Sequence, residues 1–110
     1  MTLPDKFKFT TYGDTYTAER HESEAHYVIS WVSYNGVQHT NYATEVVARR
    51  IKLGDWQILA ESFPDIYGSC VKICNLIIEK RVAGVSPTDD EVAALIITRT
   101  LINRLLDDRN

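Results

Sequence analysis

Scarcity narrows this sequence before any motif is considered. No apolar stretch approaches the roughly 18–20 residues that a membrane-crossing helix needs, so no bilayer span is expected. The opening residues, MTLPDKFKFT, lack the charged-then-apolar layout of a secretory leader, and the expected compartment is the cytoplasm. Only two cysteines occur, Cys70 and Cys74. Four apart on a helix and set among Val71, Ile73, Ile77 and Ile78, they read as small, reduced core residues rather than a disulfide or metal pair.

A basic excess is also missing. The formal net charge is −3 and the pI about 5.5, with basic residues scattered among acidic ones, which removes the cationic stripe of a duplex-DNA reader. Glycine is sparse at five residues, and none sits in a phosphate-cradling loop. His21 and His26 flank the acidic turn HESEAH, with Glu22 and Glu24 between, but no HxH or HExxH spacing accompanies them, so a solvated turn is expected, not a metal site. No activated serine or cysteine motif is present. The expectation is a non-enzymatic protein with no metal and no cofactor.

What is present is a chain of 110 residues, 45% of them apolar, which is one domain by size with a small core for its surface. The first part, residues 1–60, reads as antiparallel sheet. KFKFTTYG alternates, with Phe7 and Phe9 on one face and Lys6 and Lys8 on the other. Gly13-Asp14 marks a turn, and TYTAER continues as a second strand. HYVISWVSY is β-branched and aromatic, with Tyr27, Ile29 and Trp31 on one side and Val28, Ser30 and Val32 on the other. Asn35-Gly36 is the expected hairpin turn into VQHTNY. Thr44 is the expected cap of a short helix, TEVVARRIKLG, with Val46, Val47 and Ile51 inward and Gly54 as its stop. DWQIL reads as a last short strand, and residues 60–66 as a connector in which Pro64 discourages helix at Phe63.

The rest reads as an antiparallel helical hairpin over residues 67–108. YGSCVKICNLIIEKRV is apolar over about half its circumference. AGVSP breaks it. Thr88 then caps the last helix, with Glu91 completing a capping box and Asp89 and Asp90 in the first turn. The first half of that helix, Val92 to Ile97, is apolar all round and needs cover on every side. One sheet and one partner helix do not supply it, so a homo-oligomer assembled through the hairpin is expected.

Two arginines in LIITRTLINRLL have different surroundings. Arg104 has Asp107 and Asp108 at i+3 and i+4, which are partners within its own helix. Arg99 has Leu95, Ile96, Ile102 and Asn103 at those offsets and no acid. Its partner must come from another element, another chain or a ligand. Glu45, Asp65 and Glu79 are the candidate carboxylates, and the competing reading is an anionic ligand gripped by the guanidinium with help from Asn75 and Asn103. Arg20 at the end of the second strand is a further candidate. Arg49 and Arg50 point in different directions, and one of them is expected to face the junction of sheet and hairpin. Trp31, Tyr34, Tyr42 and Trp56 read as core or interface residues; if a ligand carries a purine, Phe63 or one of these is available to stack on it.

The acidic cap followed by AALIITRTLINRLL, with Ile97-Thr98-Arg99-Thr100-Leu101-Ile102-Asn103 at its centre, resembles the C-terminal hairpin of two families of phage anti-defence proteins. These are the anti-Thoeris sponges and the anti-CBASS cyclic-nucleotide sponges. The sheet ahead of the hairpin looks more like the former. The anti-CBASS pattern continues with small residues and an amide-plus-glycine step, where this chain has Arg104 and Leu105. The resemblance implies a viral protein of the host cytoplasm that binds a cyclic immune signal, such as a cyclic ADP-ribose isomer or cyclic oligonucleotide, without cleaving it. It implies an oligomer with pockets between protomers, Arg99 as the ligand-contacting arginine and Asn75 as an amide partner. The alternatives are a protein–protein inhibitor or adaptor acting on a host enzyme through the acidic surface and an edge strand, and an enzyme acting on a nucleotide.

Overall fold

In the computed structural model, residues 3–21, 25–81 and 88–108 are described. The protein is α+β. Five antiparallel strands form one sheet in the order β4-β3-β2-β1-β5, with β1 at Lys6–Thr11, β2 at Asp14–Arg20, β3 at His26–Ser33, β4 at Gly36–Ala43 and β5 at Gln57–Ile58. The helix α1 (Thr44–Lys52) lies between β4 and β5 in sequence, and α2 (Ile66–Arg81) and α3 (Asp89–Asp108) follow as the C-terminal pair. α3 is the hub: α1 packs on one flank of it and α2 on another.

The alternation in β1 works as expected, with Phe7 and Phe9 each 1% exposed on the helix-facing side and Lys6 and Lys8 in solvent. On β3, Tyr27 and Ile29 are buried on that same side and Trp31 is half-buried. Ala18 supplies the small residue that lets the neighbouring side chains close over β2. Val47, Ala48 and Ile51 come down from α1, and Ala93, Ala94, Ile97 and Leu101 from α3. Cys70, Ile73 and Ile77 form the inner face of α2. Cys70 is a free, buried core thiol, as its spacing implied, and Cys74 is free and half-buried.

Both hairpin turns differ in detail from the sequence reading. In the first, Thr11 pairs with Asp14, so the loop is Tyr12-Gly13 and not Gly13-Asp14. Both loop residues have positive φ, 52° and 80°, the requirement of a turn that follows the sheet's twist. In the second, Ser33 pairs with Gly36, so Tyr34-Asn35 is the loop and Gly36 alone carries the positive φ, at 104°. Gly36 thus serves as the residue after the turn, where only a glycine accepts that conformation without strain.

The helix boundaries follow capping chemistry, with one correction. Thr44 does not cap α1; it is the first helical residue, Ala43 precedes it without a side-chain cap, and the Thr44 hydroxyl is buried with no hydrogen-bond partner. Gly54, at φ 81°, ends α1 as expected and donates its N–H to the Ile51 carbonyl. Ala60–Ser62 is a 3₁₀ turn, and the Asp65 carboxylate then accepts the Gly68 N–H at 2.9 Å to start α2. Thr88 caps α3 as its sequence implied, accepting the Glu91 N–H at 3.3 Å. Lys52 at the end of α1 reaches Asp89 at 2.8 Å, which holds that carboxyl below its usual range and pins α1 to the start of α3. The expected helix break AGVSP and the residues Glu22 and Glu24 lie outside the described residues.

Candidate functional site

The candidate side chains named from the sequence occupy three separate places. Arg99, Asn75 and Asn103 are all exposed on the helical pair. On α3, the spacing of four, three and four residues puts Leu95, Arg99, Ile102 and Leu106 in one stripe, and the three apolar members are 43%, 43% and 52% exposed. The all-round apolar helix is therefore covered where α1 and α2 pack on it and left open along this stripe. None of Glu45, Asp65 and Glu79 forms an ion pair with Arg99, and no described residue supplies it a partner. On α2, Tyr67, Val71 and Ile78 are also exposed, with Asn75 on the same face by spacing. Arg104 lies 3.7 Å from Glu61 on the 3₁₀ turn.

Arg20 and Phe63 share a second location, a pocket of about 250 Å³ between the N-terminal segment and the start of α2, along with Lys6, Lys72 and Ser69. Arg20 is already engaged there: one terminal nitrogen donates to the Leu3 carbonyl at 2.7 Å and to the Tyr27 hydroxyl at 2.8 Å. Arg49 lines a third, wider recess with Thr44, Glu45, Ala48 and the α3 cap residues Thr88 and Asp89. Its neighbour Arg50 points elsewhere, as adjacent residues on a helix must, and pairs with Asp55 at 3.1 Å.

Arg50 and Asp55 border a groove that single-residue reading missed. Past the end of α1 the helix-facing side of the sheet is no longer covered, and Phe9, Tyr16, Trp31, Tyr42 and Trp56 line a hollow of about 250 Å³. Trp56 stacks on Phe9 at 4.0 Å and 13°, and Phe9 on Tyr16 at 5.4 Å and 13°. Trp31 tilts against Tyr16, and Tyr42 meets Trp56 edge-on. The signal was available in outline, since Tyr16, Trp31 and Tyr42 all fall on the buried side of alternating strands. Their convergence depends on strand register, which alternation alone does not give.

No group of three or more His, Cys, Asp or Glu side chains is placed to hold a metal ion among the described residues. The rings of His21 and His26 stack at 5.0 Å, and His39 bonds Ser30 on the opposite, outer face of the sheet at 2.8 Å. No helix among the described residues is long and apolar enough to cross a membrane. Compared with known proteins, the chain matches no family model, no curated protein and no solved structure. The class that fold and surface define is thus a small α+β protein with an exposed helical face carrying an arginine that no described residue pairs.

Proposed function

We propose that the protein is a non-enzymatic binder that sequesters a small anionic, nucleotide-type signal at a boundary between copies of the chain, in the manner of a phage anti-defence sponge. One observation carries this reading: among the described residues Arg99 has no partner, and it stands inside the exposed stripe of Leu95, Ile102 and Leu106. An apolar stripe gains free energy by meeting another surface, at roughly 25 cal/mol per Å² removed from water. A guanidinium carried into such an interface needs an anion, because a charge taken from water unpaired costs several kcal/mol. A phosphate accepted bidentately by Arg99 meets that need, with Asn75 and Asn103 available for sugar hydroxyls or base edges. The resemblance of residues 97–103 to the sponge families supports the same assignment. Sequestration needs no catalytic group: tight binding lowers the free signal below the level its effector needs, and ligand at a protomer boundary stabilises the assembly.

The experiment is mass spectrometry of small molecules released by heat from protein purified out of cells with a cyclic-nucleotide defence system active. An intact cyclic ligand is expected. A cleaved product points to an enzyme, and no released ligand with no thermal shift points to an adaptor. Arg99→Ala is expected to lower ligand affinity at least tenfold; unchanged affinity removes Arg99 from the site. The adaptor reading has its own supporting observation. β4, eight residues long, is an edge strand that pairs with β3 alone among the described residues; Val37 within it is 58% exposed and Tyr34 just before it 98%, which suits strand addition by a protein partner.

A further inference from the structure

The aromatic groove at the hairpin end of the sheet uses none of the residues assigned to the proposed signal site. We infer that it is a second, independent binding site, for one uncharged planar heteroaromatic ring of nucleobase or nucleoside size.

Volume sets the size of the occupant. The groove encloses about 250 Å³, just below the roughly 300–1,000 Å³ typical of small-molecule pockets, which admits a single base or nucleoside and not a dinucleotide or cyclic oligonucleotide. Its walls set the shape. Tyr16, Trp31 and Tyr42 are half-buried, so each is anchored by the core yet presents ring surface to the hollow. Stacking on such a ring favours any base, since every base has a π-face.

Polarity sets the chemistry. The indole N–H groups of Trp31 and Trp56 and the hydroxyls of Tyr16, Tyr42, Thr11 and Thr40 have no hydrogen-bond partner among the described residues. A groove meant only to be filled by an aliphatic side chain has no use for so many unclaimed donors, whereas a heteroaromatic edge offers matching acceptors and donors. Charge argues against a phosphate here. Arg50 is the arginine at the rim and it is neutralised by Asp55 at 3.1 Å, so the pair presents donor and acceptor side by side with no net charge. That is the opposite of Arg99.

Tyr12 completes the site. It lies on the groove's rim, 96% exposed, with a positive φ of 52°. A tyrosine in that conformation is strained relative to the glycine or asparagine that such a turn favours. Its ring gains no burial in return from the protein alone, and a ring bound in the groove supplies the missing surface.

The chain's two tryptophans, Trp31 and Trp56, both line the groove, so intrinsic fluorescence reports on it directly. Titration of the full chain with adenosine and guanosine, excited at the red edge of tryptophan absorption, is expected to give saturable quenching at sub-millimolar concentration. Trp31→Ala, read through Trp56, is expected to weaken binding at least tenfold, and Tyr12→Gly, at an exposed position that leaves folding intact, several-fold. Arg99→Ala is expected to leave nucleoside binding unchanged, which separates this site from the proposed signal site. No saturable change with either nucleoside overturns the inference, as does unchanged affinity in both groove variants. Adenosine monophosphate binding tenfold tighter than adenosine overturns the uncharged-ring assignment. Saturation by indole or phenol without nucleoside binding overturns it in favour of an aromatic side chain from a protein partner.

Discussion

The Tyr27 hydroxyl accepts a hydrogen bond from Arg20 at 2.8 Å and donates one to the Pro4 carbonyl at 2.6 Å, with the guanidinium carbon 5.2 Å from the same ring's centre. Tyr27 is fully buried, and a buried phenol needs such partners. Arg20 also holds the Leu3 carbonyl and lies 3.6 Å from Asp5, so this pair ties the N-terminal segment to β2 and β3. Tyr27→Phe leaves the arginine without one acceptor and the Pro4 carbonyl without its donor. The expected loss is about 1–3 kcal/mol in a urea unfolding curve with unchanged slope. Arg20→Lys is expected to cost a similar amount, because an ammonium lacks the planar fork that reaches Leu3 and Tyr27 together. A variant of either kind with wild-type stability means the clamp contributes nothing net.

Tyr12 gives a stabilising prediction from the same kind of geometry. Its φ of 52° is one that glycine adopts without a steric penalty, and asparagine with little. Tyr12→Gly or Tyr12→Asn is expected to raise stability by about 0.5–1 kcal/mol, seen as a higher thermal midpoint. The contrast is Gly36→Ala, at φ 104°, which is expected to lower it by about 1 kcal/mol or more. If Tyr12→Gly destabilises, the tyrosine ring makes a contribution that its exposure hides.

These two turns show what local sequence conveys and what it leaves open. Asn35-Gly36 and Gly13-Asp14 announced turns correctly, because Gly, Asn and Asp tolerate the needed backbone. They did not fix which residues form the loop, since alternation in the strands is satisfied by registers two residues apart. The last helix was legible to within a residue because Thr88, Glu91 and the acidic first turn act locally. Arg99 was legible as an arginine without a neighbour for the same reason: its i±3 and i±4 positions are fixed by the helix alone. The groove was not legible. Phe9, Tyr16, Trp31 and Tyr42 come from four strands, and Trp56 arrives over β1 only because β5 pairs Ile58 with Phe9. Arg20 read as a candidate ligand contact for the converse reason, since its partners, the Leu3 carbonyl, the Tyr27 hydroxyl and the Asp5 carboxylate, lie where no spacing rule brings them near.

The open stripe on α3 separates stability from assembly. Leu95 and Ile102 are each 43% exposed, so Leu95→Glu and Ile102→Glu can keep the carboxylate in solvent in the single chain. Each is expected to change unfolding free energy by no more than about 0.5 kcal/mol under monomeric conditions. Light scattering at micromolar concentration is expected to show the wild type as an oligomer and the double variant as a monomer. A wild-type monomer contradicts assembly through this face. By comparison, Ile97→Ala, at 0% exposure on the inward side of the same helix, is expected to cost about 2–5 kcal/mol.

Alkaline pH tests the core itself. Burial raises the Cys70 thiol above its ordinary value of 9.0, with the nearby Cys74 adding to the shift. Burial also raises the Tyr27 phenol above 10.0, against the opposing pull of Arg20. Both groups are neutral when protonated, so the fold favours the protonated form of each. As pH rises past 9, the unfolded chain releases these protons first and binds fewer than the native state. The associated stability is complete below the unfolded-state values and is lost as pH climbs through the folded ones. Chemical denaturation is therefore expected to give a plateau up to about pH 8 and a decline beginning near pH 9. Cys70→Ala is expected to lower stability at neutral pH through lost packing but to flatten the decline between pH 9 and 10. Tyr27→Phe is expected to flatten it above 10. Parallel curves for the wild type and both variants assign the alkaline loss to other groups.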